Sequence, residues 1–139
     1  IDGAVWEEDE SNNEDRIQLS KGNTAGWPDL TVDATVDDSG QDLVYTISVK
    51  NEGYTLSAPV WADVFDHLDH TPIANWDVGS TYFEVPALKP GEVHVETVTI
   101  KNAACWSGCT SRILVDSFGV LVEENENNNT WSAVVQNLP

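Results

Sequence analysis

An all-β antiparallel sandwich of about seven strands is what this sequence predicts, and three observations carry the prediction. Apolar residues recur with a period of two along much of the chain, which is the spacing of strands that bury one face. Gly, Pro and Asn punctuate that alternation at short intervals. Amphipathic helical spacing with caps is absent over any stretch of ten or more residues.

The elements follow in order. After Pro28, Leu30, Val32, Ala34 and Val36 alternate with polar residues, and Leu43, Tyr45, Ile47 and Val49 do the same before Asn51-Glu52-Gly53. Both read as half-buried strands. Val60, Ala62 and Val64 repeat the pattern, and Pro86 and Lys89-Pro90-Gly91 mark turns. Val93, Val95, Thr97, Val98 and Ile100 form the next strand region, and Ile113-Leu114-Val115 with Trp131, Ala133 and Val135 close the set. The sandwich is expected over Trp27 to Gln136. Leu30, Val32, Tyr45, Ile47, Val49, Val60, Ala62, Val64, Val95, Ile113, Val115 and Val135 are expected to point inward. Asn51 and Gly53 suit positive backbone torsion at a strand end, and Pro90-Gly91 suits the centre of a type II turn.

A chain of 139 residues suffices for one domain with a sizeable core. No apolar run approaches the eighteen residues of a membrane span. Six Lys+Arg against 24 Asp+Glu give a formal charge of −18, which repels phosphate backbones and anionic headgroups. Nucleic-acid partners and membrane insertion are therefore not expected. The acidic excess suits cation binding or a salty milieu. Met is absent and the chain begins at Ile1, so a processed product or a piece of a longer polypeptide is expected.

Cys105 and Cys109 flank Trp106-Ser107-Gly108. Such a pair can form a disulfide, bind metal or remain as thiols, and the signs of export favour the disulfide, in a surface loop. So short a loop removes little chain entropy, on the order of 2 kcal/mol.

An internal repeat is the most informative local feature. Val5 to Asn13 aligns without gaps on Leu121 to Asn129 at an offset of 116 positions, with five of nine residues identical. Ile17 and Leu19 fall on Ala133 and Val135, and Ile1-Asp2 falls on Val115-Asp116 after a two-residue gap. The period is domain-sized, so a tandem array of sandwiches is expected. Residues 1–26 then form an N-terminal, hairpin-like segment resembling the last hairpin of a preceding repeat, and residues 27–139 form the sandwich.

Four motifs in order carry a resemblance. They are Pro28-Asp29-Leu30-Thr31-Val32, the strand Ile47 to Lys50 ending in Asn51-Glu52-Gly53, the turn Leu88-Lys89-Pro90-Gly91-Glu92, and Val115-Asp116 followed by Glu123 to Asn129. Together they resemble CARDB, the cell-adhesion-related domain found in bacteria, an immunoglobulin-like module of bacterial and archaeal surface and secreted proteins. The resemblance implies an immunoglobulin-like sandwich, an extracellular or cell-surface location and neighbouring domains of a larger protein as partners. Two departures stand out, the Cys105 to Cys109 insertion and the long stretch from Asp66 to Tyr82. A ligand site would lie there.

Three groups of residues offer chemistry. Carboxylate and amide oxygens are the ligands of a hard cation, so calcium is expected at Asp116, Glu124, Glu126 and Asn128, with a second site at the counterparts Asp2, Glu8, Glu10 and Asn12. The plain alternative is that Glu123 to Asn129 hold a tight hairpin between the last two strands. His67 and His70, flanked by Asp66 and Asp69, could grip a transition metal, with Cys105 and Cys109 completing a zinc site, although the spacing is poor. Six tryptophans exceed what a core needs. Trp61 or Trp131 suits the interior, whereas Trp76 and Trp106 fall in the two departures and could stack on sugar rings.

No Gly-x-Ser-x-Gly elbow, His-Glu-x-x-His helix or phosphate loop occurs. The expected function is a non-catalytic adhesion or spacer module, calcium-stabilised, of a surface or secreted protein. The second is a carbohydrate-binding module that tethers an attached enzyme to polysaccharide.

Overall fold

The computed structural model describes residues 26–139. Seven strands occur among them: β1 (Leu30–Asp37), β2 (Leu43–Asn51), β3 (Val60–Phe65), β4 (Thr81–Val85), β5 (Val93–Ile100), β6 (Cys109–Val115) and β7 (Thr130–Val135). They form two antiparallel sheets in the orders β1-β2-β5 and β4-β3-β6-β7. No helix is present among the described residues. The sandwich is therefore as expected, and β4 is a strand that the pattern reading passed over. Its Tyr82, Phe83 and Val85 just before Pro86 were the available signal.

The two sheets close on alternating side chains. Leu43, Tyr45, Ile47 and Val49 of β2 meet Val60, Ala62, Val64, Ile113, Val115 and Val135 of the opposite sheet, all essentially without solvent contact. Val32, Ala34, Val36 and Trp131 pack half-buried at the margins. Tyr45 places a hydroxyl in this interior, and a buried O–H needs a partner. It finds Ser111 Oγ at 2.8 Å, which in turn donates to the Asp66 carbonyl at 2.9 Å. Burial pushes the Tyr45 phenol up to about 12.

One expected inward residue points out instead, and of Trp61 and Trp131 it is Trp131 that packs against the core. Val95 is 58% exposed because β5 keeps the phase of Val98 and Ile100, which face Tyr45 and Leu43 across the ladder. The same phase turns His94 and Glu96 inward at the strand's other half, where they bind each other at 2.9 Å. Trp61 lies on the outer face of β3, one residue out of step with buried Val60 and Ala62.

Asn51 and Gly53 also act differently from the expectation. Neither has a positive φ among the described residues. Asn51 is fully buried and serves four main-chain groups: Oδ1 accepts from Asp29 and Gly53 N–H, and Nδ2 donates to the Thr55 and Leu88 carbonyls. Gly53 is needed for space, since a Cβ there would stand 2.4 Å from the Trp27 carbonyl oxygen. The Pro90-Gly91 turn is as expected, with Gly91 at φ 84° and Glu92 N–H bonding the Lys89 carbonyl.

The 116–129 segment between β6 and β7 is no tight hairpin. It reaches across to the start of β1 in the other sheet, where Glu124 N–H bonds the Pro28 carbonyl. Glu123 is its anchor. One buried oxygen accepts Leu30 N–H at 2.8 Å and the other accepts the Asn129 amide. Burial pushes this carboxyl up to about 7, against the lowering effect of those bonds.

Glu123→Ala leaves the Leu30 N–H and the Asn129 amide unpaired, so a loss of about 2–3 kcal/mol is expected in urea unfolding with chelator present. Glu123→Gln should lose less than about 1 kcal/mol, because its amide oxygen still accepts Leu30 N–H and Asn129 can turn over. The raised pKa means the folded state holds a proton that the unfolded chain, at 4.5, has released. Wild-type stability should therefore fall as pH rises from about 4.5 to about 7, and Glu123→Gln should flatten that slope.

Candidate functional site

The long connection from Asp66 to Ser80 lies across the outer face of the four-stranded sheet. Phe65 and Leu114 point outward from their strands yet are almost fully buried, because this connection covers them. It is held along its length. Leu68 N–H bonds the Thr110 carbonyl, Arg112 Nε donates to the Leu68 carbonyl at 2.9 Å, and Asn75 N–H bonds the Ser117 carbonyl. Gly79 passes so close to β3 that a Cβ would stand 2.8 Å from the Val64 carbonyl oxygen, and its N–H binds Asp63 Oδ2 at 2.9 Å.

His70 and Asp77 clasp the connection into a loop. His70 Nε2 stands 2.9 Å from Asp77 Oδ2, which also accepts Ile73 N–H, and His70 Nδ1 stands 3.0 Å from Asp69. The Asp69 and Asp77 carboxylates hold the imidazole above its ordinary range. Asp69 is lowered chiefly by its bond to His70, and Asp77 chiefly by the Ile73 N–H. Cys105 and Cys109 are joined to each other and so do not complete a zinc site with His67 and His70, and among the described residues no three His, Cys, Asp or Glu side chains converge as metal ligands.

Where the covering loop stops short, it leaves a groove of about 540 Å³. Trp61, Trp76, Tyr82 and Phe118 line it, with Asp63, Asn75, Asp77 and Ser117 among them. All four rings are exposed, Trp76 at 78%. Trp61 and Tyr82 meet edge to face at 5.5 Å, which fixes both. Phe118 is presented by a tight turn in which Asp116 has φ 61° and Gly119 N–H bonds the Asp116 carbonyl. Sequence reasoning singled out Trp76 but missed Trp61, Tyr82, Phe118 and Ser117, which come together only through the fold.

Trp106 is not part of this groove. It sits in the disulfide turn at the start of β6, while Ser117 and Phe118 follow its end. The Cys105–Cys109 disulfide spans a Cα separation of 5.2 Å, with Gly108 at φ 102° turning the chain. The bond lies deeper than a surface loop: both cysteines are buried and join the main core, leaving only Trp106 to Gly108 in solvent.

The expected calcium ligands divide into two groups. Glu124 and Asn128 turn toward the start of β1, where Glu124 Oε2 accepts Trp27 N–H and Asn128 Nδ2 donates to Asp29. Asp116 and Glu126 instead line one small cavity of about 230 Å³ with Asn127 and Asn129. Asp116 is buried and its two oxygens accept Val120 and Leu121 N–H. Asn129 Oδ1 is buried with no hydrogen-bond partner among the described residues. Asp2, Glu8, Glu10 and Asn12 lie outside the described residues.

Comparison with known proteins gives one consistent answer. The family model for CARDB matches residues 27–133. A crystal structure of a CARDB domain from Pyrococcus furiosus, in complex with di-metal ions, is similar with a TM-score of 0.65 and 24% identity, covering 83% of this chain and 97% of that one. A solution NMR structure of a CARDB domain from the same organism is similar with a TM-score of 0.59 and 26% identity, covering 81% and 96%. No curated protein matches the chain.

The clasp predicts a pH window. A raised imidazole contributes fully below its free value of 6.5 and is lost as pH rises through the folded value. The lowered Asp77 contributes above 3.8 and is lost as pH falls through its folded value. Amide-exchange protection at Ile73 should therefore be greatest near pH 5 and decline above neutrality, and His70→Ala should remove the decline.

Proposed function

Because this chain belongs to the CARDB family, we propose that it is a non-catalytic immunoglobulin-like module, an adhesion or spacer unit of a larger surface or secreted protein. The observation that carries this reading is the family match over residues 27–133, which spans both sheets from Trp27 to Ala133. The internal repeat at a domain-sized offset supports further copies of the same sandwich as its neighbours. Location outside the cell fits the oxidised cysteine pair, since disulfides persist in oxidising compartments.

Calcium belongs to the same proposal, at the small cavity between Asp116 and Glu126. The donor set there is all oxygen, which suits a hard cation, and Asn129 Oδ1 is a buried acceptor that lacks a partner. Asp116 already accepts two main-chain N–H groups, but each carboxylate oxygen keeps a second lone pair. Asp116, Glu126 and the amide oxygens of Asn127 and Asn129 would hold the ion. Its part would be to neutralise two carboxylates and tie the 116–119 turn to the start of β7. The metal-bound Pyrococcus furiosus relative supports this reading without naming the metal.

A second reading, a carbohydrate-binding module, is favoured by the exposed Trp76 ring in a concave site.

Thermal unfolding tests the calcium reading. At about a hundredfold excess over its dissociation constant, calcium should stabilise by about 2.7 kcal/mol, a rise on the order of 5–10 °C over chelator at equal ionic strength. Glu126→Gln, an exposed change, should remove most of that rise and leave the chelator value nearly unchanged. Equal melting temperatures in calcium and chelator would reduce the acidic segment to architecture.

A further inference from the structure

We propose that the groove bounded by Trp61, Trp76, Tyr82 and Phe118 is a binding site for a neutral pyranose of a polysaccharide chain. The inference rests on the carbohydrate-binding reading and moves its site: Trp76 belongs to it and Trp106 does not.

The wall chemistry selects the occupant. Four exposed rings from four separate parts of the fold converge on one concavity, and an uncovered aromatic patch on a small domain marks a contact surface. A purely apolar partner would account for the rings alone. This groove also carries Asp63, which spends Oδ2 on Gly79 N–H and keeps Oδ1 for a further donor. At its edge Ser117, only 5% exposed, holds an Oγ with no hydrogen-bond partner among the described residues. A buried hydroxyl without a partner is unfavourable, and rotation of the Ser117 side chain toward the groove would let a ligand hydroxyl relieve it. Apolar ring faces beside isolated acceptors and hydroxyls match a pyranose, whose C–H face is apolar and whose edge is a ring of hydroxyls. The size of the groove lies within the usual range for small-ligand sites.

Charge narrows the class further. With Asp63 and Asp77 in its wall and a formal charge of −18 on the chain, the site repels carboxylated or sulfated sugars. The walls are also braced before any ligand arrives. Trp61 and Tyr82 hold each other edge to face, and Asn75 Nδ2 donates to the Phe118 carbonyl at 2.5 Å. Trp61 and Tyr82 therefore lose little freedom on binding, and the ordering cost falls mainly on the exposed Trp76 ring.

The test is titration of the full chain with cellohexaose, mannohexaose and maltohexaose, followed by tryptophan fluorescence and by amide shifts. At least one should bind, with shifts at Trp76, Tyr82 and Phe118. Trp76→Ala should weaken it about tenfold or more, as expected for one lost aromatic contact, and Ser117→Ala by a smaller factor. Trp106→Ala should leave binding unchanged. Trp76 and Trp106 are both exposed, so neither change threatens the fold, and the wild-type shift map is an independent check. Binding that survives Trp76→Ala, or disappears with Trp106→Ala, would leave a carbohydrate module and overturn this site. If none of the three binds, the carbohydrate reading and the site both fall. Tighter binding of hexagalacturonate would overturn the charge argument.

Discussion

The carboxylate of Glu123, buried where the two sheets meet at one end, is the interaction on which the arrangement of the loops depends. It belongs to the connection between β6 and β7 in one sheet and accepts the first main-chain N–H of β1 in the other. Around it the same end is closed by Asn51, which serves Asp29, Gly53, Thr55 and Leu88. The opposite end repeats the device: Asn137 accepts Cys105 N–H and donates to the Gln41 and Ala103 carbonyls. The middle of the sandwich is apolar apart from the Tyr45 and Ser111 hydroxyls, which bond each other, and its ends are sealed by buried side chains that complete main-chain hydrogen bonds. That division has a physical origin. Where strands stop, their amides and carbonyls lose ladder partners, and a buried group without a partner costs more than an apolar contact recovers.

How far the sequence revealed this can be judged residue by residue. Alternation located the inward faces of β2, β3 and β6, because in each the inner phase carries a run of apolar residues, Leu43 to Val49, Val60 to Val64, and Ile113 with Val115, even though Trp61, Phe65 and Leu114 put apolar side chains on the outer phase as well. It failed on β5, where Val93 and Val95 occupy one phase and Val98 and Ile100 the other. The ladder with β2 chose the second. The cost of turning His94 inward is reduced because it stacks on Phe83 and binds Glu96. Asn51 shows a different limit. Asparagine suits both left-handed turns and multiple main-chain hydrogen bonds, and only the fold decides between them. Glu123 is one acidic residue in a polar run, and nothing local separates it from Glu124 or Glu126, which are exposed.

The groove was hidden for a related reason. Trp61 sits on β3, Tyr82 on β4, Trp76 in the covering loop and Phe118 in the turn after β6, so no sequence spacing unites them. What was legible was the insertion itself, the long stretch from Asp66 to Tyr82. Its role became visible only as cover. By lying over Phe65 and Leu114 it adds a partial third layer to a two-layer fold, and its edge forms one wall of the groove. A framework of strands thus holds the site while the inserted loop supplies its individuality.

The charge imbalance explains why so much of this structure is held through the main chain. With 24 acidic and six basic residues, most carboxylates have no cationic side chain to meet. Among the described residues the acid–base side-chain contacts are those of His70 with Asp69 and Asp77 and of His94 with Glu96, each charged only where the imidazole is protonated. Asp37, Asp38, Asp42, Asp63, Asp116, Glu92, Glu123, Glu124 and Glu126 instead accept backbone N–H groups, mostly at turns and strand ends. Such bonds are short-range and are strengthened by the acceptor's charge, so they tie loops down without needing a counter-ion. They do not cancel the charge. Repulsion among the carboxylates therefore persists in the folded state, and at one end of the sandwich Glu126 and Asp116 add to the burial that holds the Glu123 proton. Such repulsion is screened by salt, so a fold built this way is expected to respond to the ions around it.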